Sequence, residues 1–185
     1  MRIYKTNRLI LRELDESYSF NVLNFYIRNR SFLKKWEAKK PIDFYSIKYQ
    51  SELLRKERQL SNDGRLLRLW LFHKNDHNFS NIIGCILFST IIRGNFQSCI
   101  LGYKMDKEEL NKGYITEALK KGIEVIFKEY KLNRIEAPIM PKNKASIRVV
   151  QKLGFNNEGI SRKYIKVNDK WEDHIRWVLI NDEEQ

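Results

Sequence analysis

The chain is poor in the residues that cross-link, ligate or interrupt. Its 185 residues hold two cysteines, three histidines, three prolines and eight glycines. Cys85 and Cys99 fall in expected strands, without a close pair or a neighbouring histidine cluster, which argues against a disulfide framework or a zinc site and makes both core thiols. His73, His77 and His174 are scattered along the chain, so no metal is expected. No Pro-, Gly- or Ser-rich stretch divides the sequence, and the length suffices for a real core, so one domain over residues 1–185 is expected. Long apolar runs are missing as well. No segment approaches the roughly 20 residues that a bilayer span needs, and the opening MRIYKTNRLILREL lacks the apolar core of a signal peptide. A cytoplasmic location is the expectation.

Acidic residues are the scarcer sign, 23 against 35 lysines and arginines, leaving a net charge of +12. Such a surplus favours an anionic partner, for example a polyphosphate cofactor, RNA or a ribosomal surface, and does not choose among them. Solvated basic faces such as FLKKWEAKKP and LRKERQL account for part of it.

Hydrophobic periodicity divides the chain into alternating strands and helices. NRLILREL reads as a first strand, after which Asp15 or Ser17 can cap a helix reaching about Arg28; a second helix covers DFYSIKYQSELLRKERQL. Strands follow at Leu66 to His73, Ile82 to about Ile92 and Gln97 to Met105, the last two joined by an RGN turn. Ile115, Ala118, Leu119, Ile123, Ile126, Phe127 and Tyr130 recur at helical spacing and define a long amphipathic helix. RIEAPI is a short strand in which Pro138 disfavours a fully bonded position, NKASIRVVQKLGF is a helix closed by Gly154, and two strands joined by NDK end the chain. Alternation on the last strand sets Trp171, Asp173, Ile175 and Trp177 on one face, with the tryptophans expected in the core, and His174 on the other. The pattern is α/β, a mixed sheet covered by helices.

Asn111, Lys112 and Gly113 occupy the turn between a strand and the long helix. The first backbone N–H groups of a helix have no internal partner and carry the positive end of its dipole, so this turn can receive a phosphate. Three segments, LGYKMDKEELNKGYITEAL, MPKNKASIRVVQKLGF and the amino-terminal TNRLILREL, resemble in order and spacing the GNAT acetyl-CoA-dependent N-acetyltransferases. FLKKWE, IIRGNFQSCILGY, MPKNK and WEDH make the RimJ/RimL-type ribosomal-protein alanine N-acetyltransferases the nearest likeness. The resemblance implies a GNAT fold, a central mixed and mostly antiparallel twisted sheet flanked by helices, and acetyl-CoA as the acetyl donor.

By that resemblance the backbone at Tyr103 and Met105 grips the pantetheine arm, and the turn Leu110, Asn111, Lys112, Gly113, Tyr114, Ile115 and Thr116 holds the pyrophosphate. Asn143 would bond the arm or a water, and Ser146 would donate to the departing sulfur. The loop departs from the family pattern: Leu110 and Ile115 stand at positions usually held by Arg or Gln and by Gly or Ala. Val150 stands where many relatives carry a tyrosine acid. An α-amino group is about one-tenth neutral at pH 7, whereas a lysine is almost wholly charged, so a protein N-terminus demands less of the base. Glu37 beside Trp36, and Glu158, are the carboxylate candidates for that base, with His174 as another. Trp36, Glu37 and Glu158 are accordingly the expected acceptor-side residues. The expected reaction is acetyl transfer to a protein N-terminal amine, a ribosomal protein being the resemblance's suggestion. A polyamine or aminoglycoside acceptor, a non-catalytic acyl-CoA-binding protein and a basic RNA- or ribosome-binding module are the alternatives.

Overall fold

The computed structural model describes residues 1–182, so the last three residues of the expected 1–185 unit lie outside the described residues. The described elements are β1 (Ile3–Lys5), β2 (Leu9–Arg12), α1 (Ser19–Arg28), α2 (Arg30–Lys34), α3 (Ile47–Asn62), β3 (Leu67–His73), β4 (Gly84–Ile92), β5 (Ser98–Met105), α4 (Tyr114–Lys128), β6 (Arg134–Ile139), α5 (Lys144–Lys152), β7 (Asn156–Val167) and β8 (Lys170–Ile180). Among the described residues, eight strands form one sheet in the order β1-β2-β3-β4-β5-β6-β8-β7. Every neighbouring pair is antiparallel except β5 and β6, which run parallel.

The sheet is covered on both faces, and β3 shows why its sequence is a nearly continuous apolar run. Leu67, Leu69 and Leu71 pack with α4 residues Leu119 and Ile126 in one core, while Trp70 and Phe72 pack with α1 residues Val22 and Phe25 and with Leu54 of α3 in the other. The close approach of α4 needs Gly122: a Cβ there would lie 2.5 Å from Ile86 Cδ1 and 2.9 Å from the Phe88 ring. Cys85 and Cys99 are buried as expected, and burial pushes the Cys99 thiol up to about 12, far from a nucleophilic thiolate.

Local chemistry sets the helix boundaries. Asp15, not Ser17, makes the first cap, accepting from Ser17 N at 3.0 Å and starting a short 3-10 turn that leads into α1. Ser46 caps α3 by accepting from Tyr49 N at 3.2 Å. Three expectations are corrected. The first expected strand is present as β2, but an unexpected β1 pairs with it ahead of the predicted segment. The five-residue α2 was not anticipated; it is too short to show a periodic stripe. Trp171 is 60 % exposed, whereas Trp177 is buried together with His174, because the β7–β8 hairpin runs past the core and its register with β7 shifts between Ser161 and Ile165.

Candidate active site

β5 and β6 pair only through Ser98↔Arg134, Cys99↔Ile135 and Ile100↔Glu136, yet β5 continues to Met105 and β6 to Ile139. The sheet therefore splits into a fork. Backbone polar groups of a strand alternate sides from one residue to the next. Asp106 N donates to Ile83 O at 2.8 Å on the β4 side, and Arg134 N donates to Gln97 O at 3.1 Å on the β6 side. The odd-numbered residues Leu101, Tyr103 and Met105 thus direct their N–H and C=O groups into the fork. Continuing the two-residue step of the Arg134 N–Gln97 O bond sets the Pro138 nitrogen toward Leu101 O, where the ladder would need an N–H that proline lacks. Pro138 ends the pairing and helps to open the gap.

A cleft of about 850 Å³ fills the fork and continues to the start of α4. Leu110, Asn111, Gly113, Ile115 and Thr116 line its α4 end, and Tyr103, Met105, Asn143 and Ser146 line its middle. Asn111 and Gly113 are both left-handed, with φ of 62° and 80°. Gly113 occupies the N-cap position of α4 without a side-chain cap, which leaves the first N–H groups of the helix to whatever occupies the cleft. The donor set and its geometry suit a diphosphate joined to an extended amide-bearing arm. The side chains of Lys112 and Tyr114 do not line the cleft: Lys112 pairs with Glu109 at 3.0 Å, and Tyr114 packs edge-on to His73 and under Arg8. Only their backbone can serve the turn.

The end of β5 is tied to the end of α1. Arg28 Nε and Asn29 Nδ2 donate to Asp106 Oδ2 at 2.5 and 3.1 Å, Glu108 N donates to Asp106 Oδ1 at 3.1 Å, and Lys107 N donates to Asn29 Oδ1 at 2.9 Å. Burial works against the Asp106 carboxylate, but these donors prevail and hold it below the usual carboxyl range. Sequence reading missed this anchor, whose partners are 77 and 78 residues apart.

Asn143, Ser146 and Tyr103 form a rigid group. Asn143 Oδ1 caps α5 by accepting from Ser146 N at 3.2 Å, so its Nδ2 is what remains to donate into the cleft. Tyr103 donates its hydroxyl to the Ser146 carbonyl at 2.9 Å, and burial pushes the phenol up to about 12. Ser146 Oγ has no hydrogen-bond partner among the described residues. It sits in the first turn of α5, where the carbonyl three residues back, Asn143 O, accepts from Ile147 N at 3.1 Å. Val150, which the family resemblance sets at a tyrosine position, is fully buried.

The far end of the cleft is lined by Phe32, Leu33, Lys35, Trp36, Glu37, Lys104 and His174. Glu37 binds Lys104 through Oε1 and Lys40 through Oε2, the latter at 3.1 Å. Burial disfavours its charge, yet the two ammonium groups hold the carboxyl below its ordinary value. Asn168 at the tip of the β7–β8 hairpin donates to Lys34 O at 2.6 Å, and Asp169 meets Lys39 at 3.1 Å, so the hairpin reaches the segment after α2. Glu158 is not brought here. It lies at the start of β7, near the paired end of the fork, and takes Arg134 Nη1 and Nη2 at 3.0 and 2.5 Å; sequence proximity to α5 was misleading because β7 begins beside Arg134 and reaches the cleft only farther along. Among the described residues no cluster of three or more metal-ligating side chains occurs.

The chain belongs to the acetyltransferase (GNAT) domain family, whose model matches residues 8–156, a span that includes both β5 and the start of α4. It is 33% identical over 182 residues to the probable N-acetyltransferase YjcK of Bacillus subtilis (strain 168), covering 98% of this chain and 99% of that protein. It is 31% identical over 174 residues to the [ribosomal protein uS5]-alanine N-acetyltransferase of Escherichia coli (strain K12), covering 94% and 88% of the two chains. The crystal structure of the ribosomal-protein-S5-alanine acetyltransferase from Vibrio fischeri superposes with a TM-score of 0.93 at 30% identity, covering all of both chains. The protein is an N-acetyltransferase with the eight-stranded GNAT fold.

Proposed function

We propose that the 1–185 chain acts as one catalytic unit that moves acetyl from acetyl-CoA to the α-amine of a protein N-terminus, with a ribosomal protein beginning in alanine as the acceptor. The observation that supports the donor half is the fork itself: three residues of β5 present unpaired backbone groups along a cleft that ends on the free N–H groups of α4. Full-length similarity to uS5-alanine N-acetyltransferases supports the acceptor half.

Acetyl-CoA supplies an activated thioester carbonyl. The backbone of Tyr103 and Met105 would grip its arm, with the Met105 N–H available to the thioester oxygen as charge develops there. The turn from Leu110 to Thr116 would hold the diphosphate through N–H groups, which the side chains of Leu110 and Ile115 do not remove. Ser146 Oγ would donate to the departing sulfur, in place of the tyrosine that Val150 replaces, and Asn143 Nδ2 would bond the arm. Trp36 and Glu37 line the acceptor end.

A polycationic small molecule fits this cleft less well. Glu37 is the single carboxylate among the lining side chains, against Lys35, Lys104, Arg148 and Lys152, and its two oxygens already serve two lysines. The test is incubation with acetyl-CoA and a panel of Ala-initiated peptides, Ser-initiated peptides, a polyamine and an aminoglycoside, following free thiol and peptide mass. Acetylation of the Ala-initiated N-terminus is expected; thiol release with the polyamine or aminoglycoside alone would overturn the acceptor assignment.

A further inference from the structure

Transfer to an amine needs a group that removes a proton from nitrogen, and the cleft offers few. Lysine and arginine side chains are cations that already carry their protons. Tyr103 keeps its proton, because burial pushes its phenol up to about 12. Glu37 is a poor acceptor, since each oxygen is bound by an ammonium group and the carboxyl is held below its usual value.

His174 is different. Its ring is buried to 4 % exposure and lines the cleft opposite the Glu37–Lys104 pair's side of the fork, carried on β8 rather than β5. Nδ1 lies 3.0 Å from the carbonyl oxygen of Glu172, and Nε2 has no hydrogen-bond partner among the described residues. A carbonyl oxygen can only accept, so in the neutral ring Nδ1 carries the hydrogen and Nε2 keeps its lone pair. Tyr164 on β7 packs edge-on with the ring at 5.8 Å between centroids. The Glu172 carboxylate is taken by Lys142, from the turn between β6 and α5, at 2.7 Å, and Lys104 on β5 is engaged with Glu37. Tyr164 is the titratable group facing it from β7.

We infer that His174, through Nε2, is the catalytic proton acceptor for the attacking amine, in the role for which Glu37 and Glu158 were the carboxylate candidates. The inference rests on the acetyl-transfer reading above. As the amine nitrogen bonds to the thioester carbonyl carbon, it gives one N–H proton to Nε2. The carbon–sulfur bond breaks with its electron pair on sulfur, the thiolate takes up one proton, and the imidazolium returns its own to solvent. Amine and thioester become amide and thiol with no net change in protons. The Glu172 carbonyl stabilises the imidazolium through Nδ1–H, as an orienting acceptor does for a histidine base.

Two measurements on the full chain test this. In the first, thiol release by wild type and His174→Gln is followed across pH with the amine of the panel that wild type uses best, alongside acetyl-CoA affinity by calorimetry. Glutamine can keep a donor near Glu172 O but takes up no proton. Expected is a fall in kcat of about 100-fold or more, an acid limb of the pH–rate profile reduced to the ionisation of the amine itself, and unchanged acetyl-CoA affinity. His174→Gln with near-wild-type kcat, or with reduced kcat and a pH–rate profile of the same shape as wild type, overturns the assignment while leaving acetyl transfer standing. A wild type that uses no amine on the panel overturns both. The second measurement needs no turnover: nitrogen-15 NMR of the wild-type imidazoles should show the neutral His174 ring protonated on Nδ1. Protonation on Nε2 would overturn the inference even if activity fell in the variant.

Discussion

Arg8 Nη1 donates to the Lys112 carbonyl at 2.9 Å, so a residue that precedes the second strand holds the turn in front of α4. The same guanidinium donates through Nε to Glu117 at 2.7 Å in the first turn of that helix and lies over the Tyr114 ring at 4.5 Å. Thr6 adds a hydroxyl to Glu117 at 2.7 Å. Leu110 stands where the resemblance expects Arg or Gln, and the turn's shape is braced from outside by Arg8.

Replacing Arg8 with glutamine should therefore act on the donor substrate. Losing the fork of donors loosens Lys112 and Gly113 without touching the reacting atoms. The expected outcome is a KM for acetyl-CoA raised about tenfold, equivalent to ~1.4 kcal/mol, with kcat within twofold of wild type. Arg8→Lys should rescue little, because a point charge cannot serve Glu117, Lys112 and the Tyr114 face together. Steady-state kinetics checks the split, and an unchanged KM would show that the turn holds its shape alone.

Ser146→Ala removes a hydroxyl with no other partner, so folding should be indifferent to it. Turnover should fall about 10- to 100-fold, within the range of a lost acid or transition-state hydrogen bond, while acetyl-CoA affinity stays within twofold. Wild-type turnover in this variant would remove Ser146 from the chemistry.

Asp106 gives stability a pH dependence of known sign. Its folded carboxyl lies below its ordinary value, so the unfolded chain binds the proton more readily. The contribution is complete above about pH 4 and is lost as pH falls through the lower folded value. Asp106→Asn should cost about 2 kcal/mol at pH 7, allowing for the partial exposure of Arg28, and should flatten the acid side of the stability curve. Urea unfolding of both proteins between neutral and acid pH decides this; parallel curves would mean that Asp106 titrates normally.

Pro138→Ala restores the N–H opposite Leu101. One further ladder bond, worth about 1 kcal/mol, would then compete with the cofactor's arm for the mouth of the fork. Acetyl-CoA affinity should weaken about fivefold, and the new residue-138 amide should show slowed exchange. Unaltered affinity would mean that the fork is held open by other residues.

Much of this was legible beforehand, for identifiable reasons. The α4 stripe and the turn with Gly113 are local patterns that spacing places, whereas Asn143 and Ser146 stood out through the family resemblance. Pro138 also announced a strand position without a donor, although only the register shows that the missing donor faces the fork. What stayed hidden depends on distant partners. Arg28 and Asn29 reach Asp106 across the chain, Lys104 and Lys40 occupy Glu37, and Arg134 draws Glu158 away from the cleft. The exposure of Trp171 followed from the length of a hairpin that overshoots the core, which strand alternation does not report.

Only three register pairs stitch the β1–β5 part of the sheet to the β6–β8 part, all of them at one end. A zip fastened solely at its base gapes at the other end, and that open length is where the donor substrate is proposed to lie. An occupant bonded to both edges would serve as a temporary rung between the halves, leaving the loaded protein stiffer across its middle than the empty one.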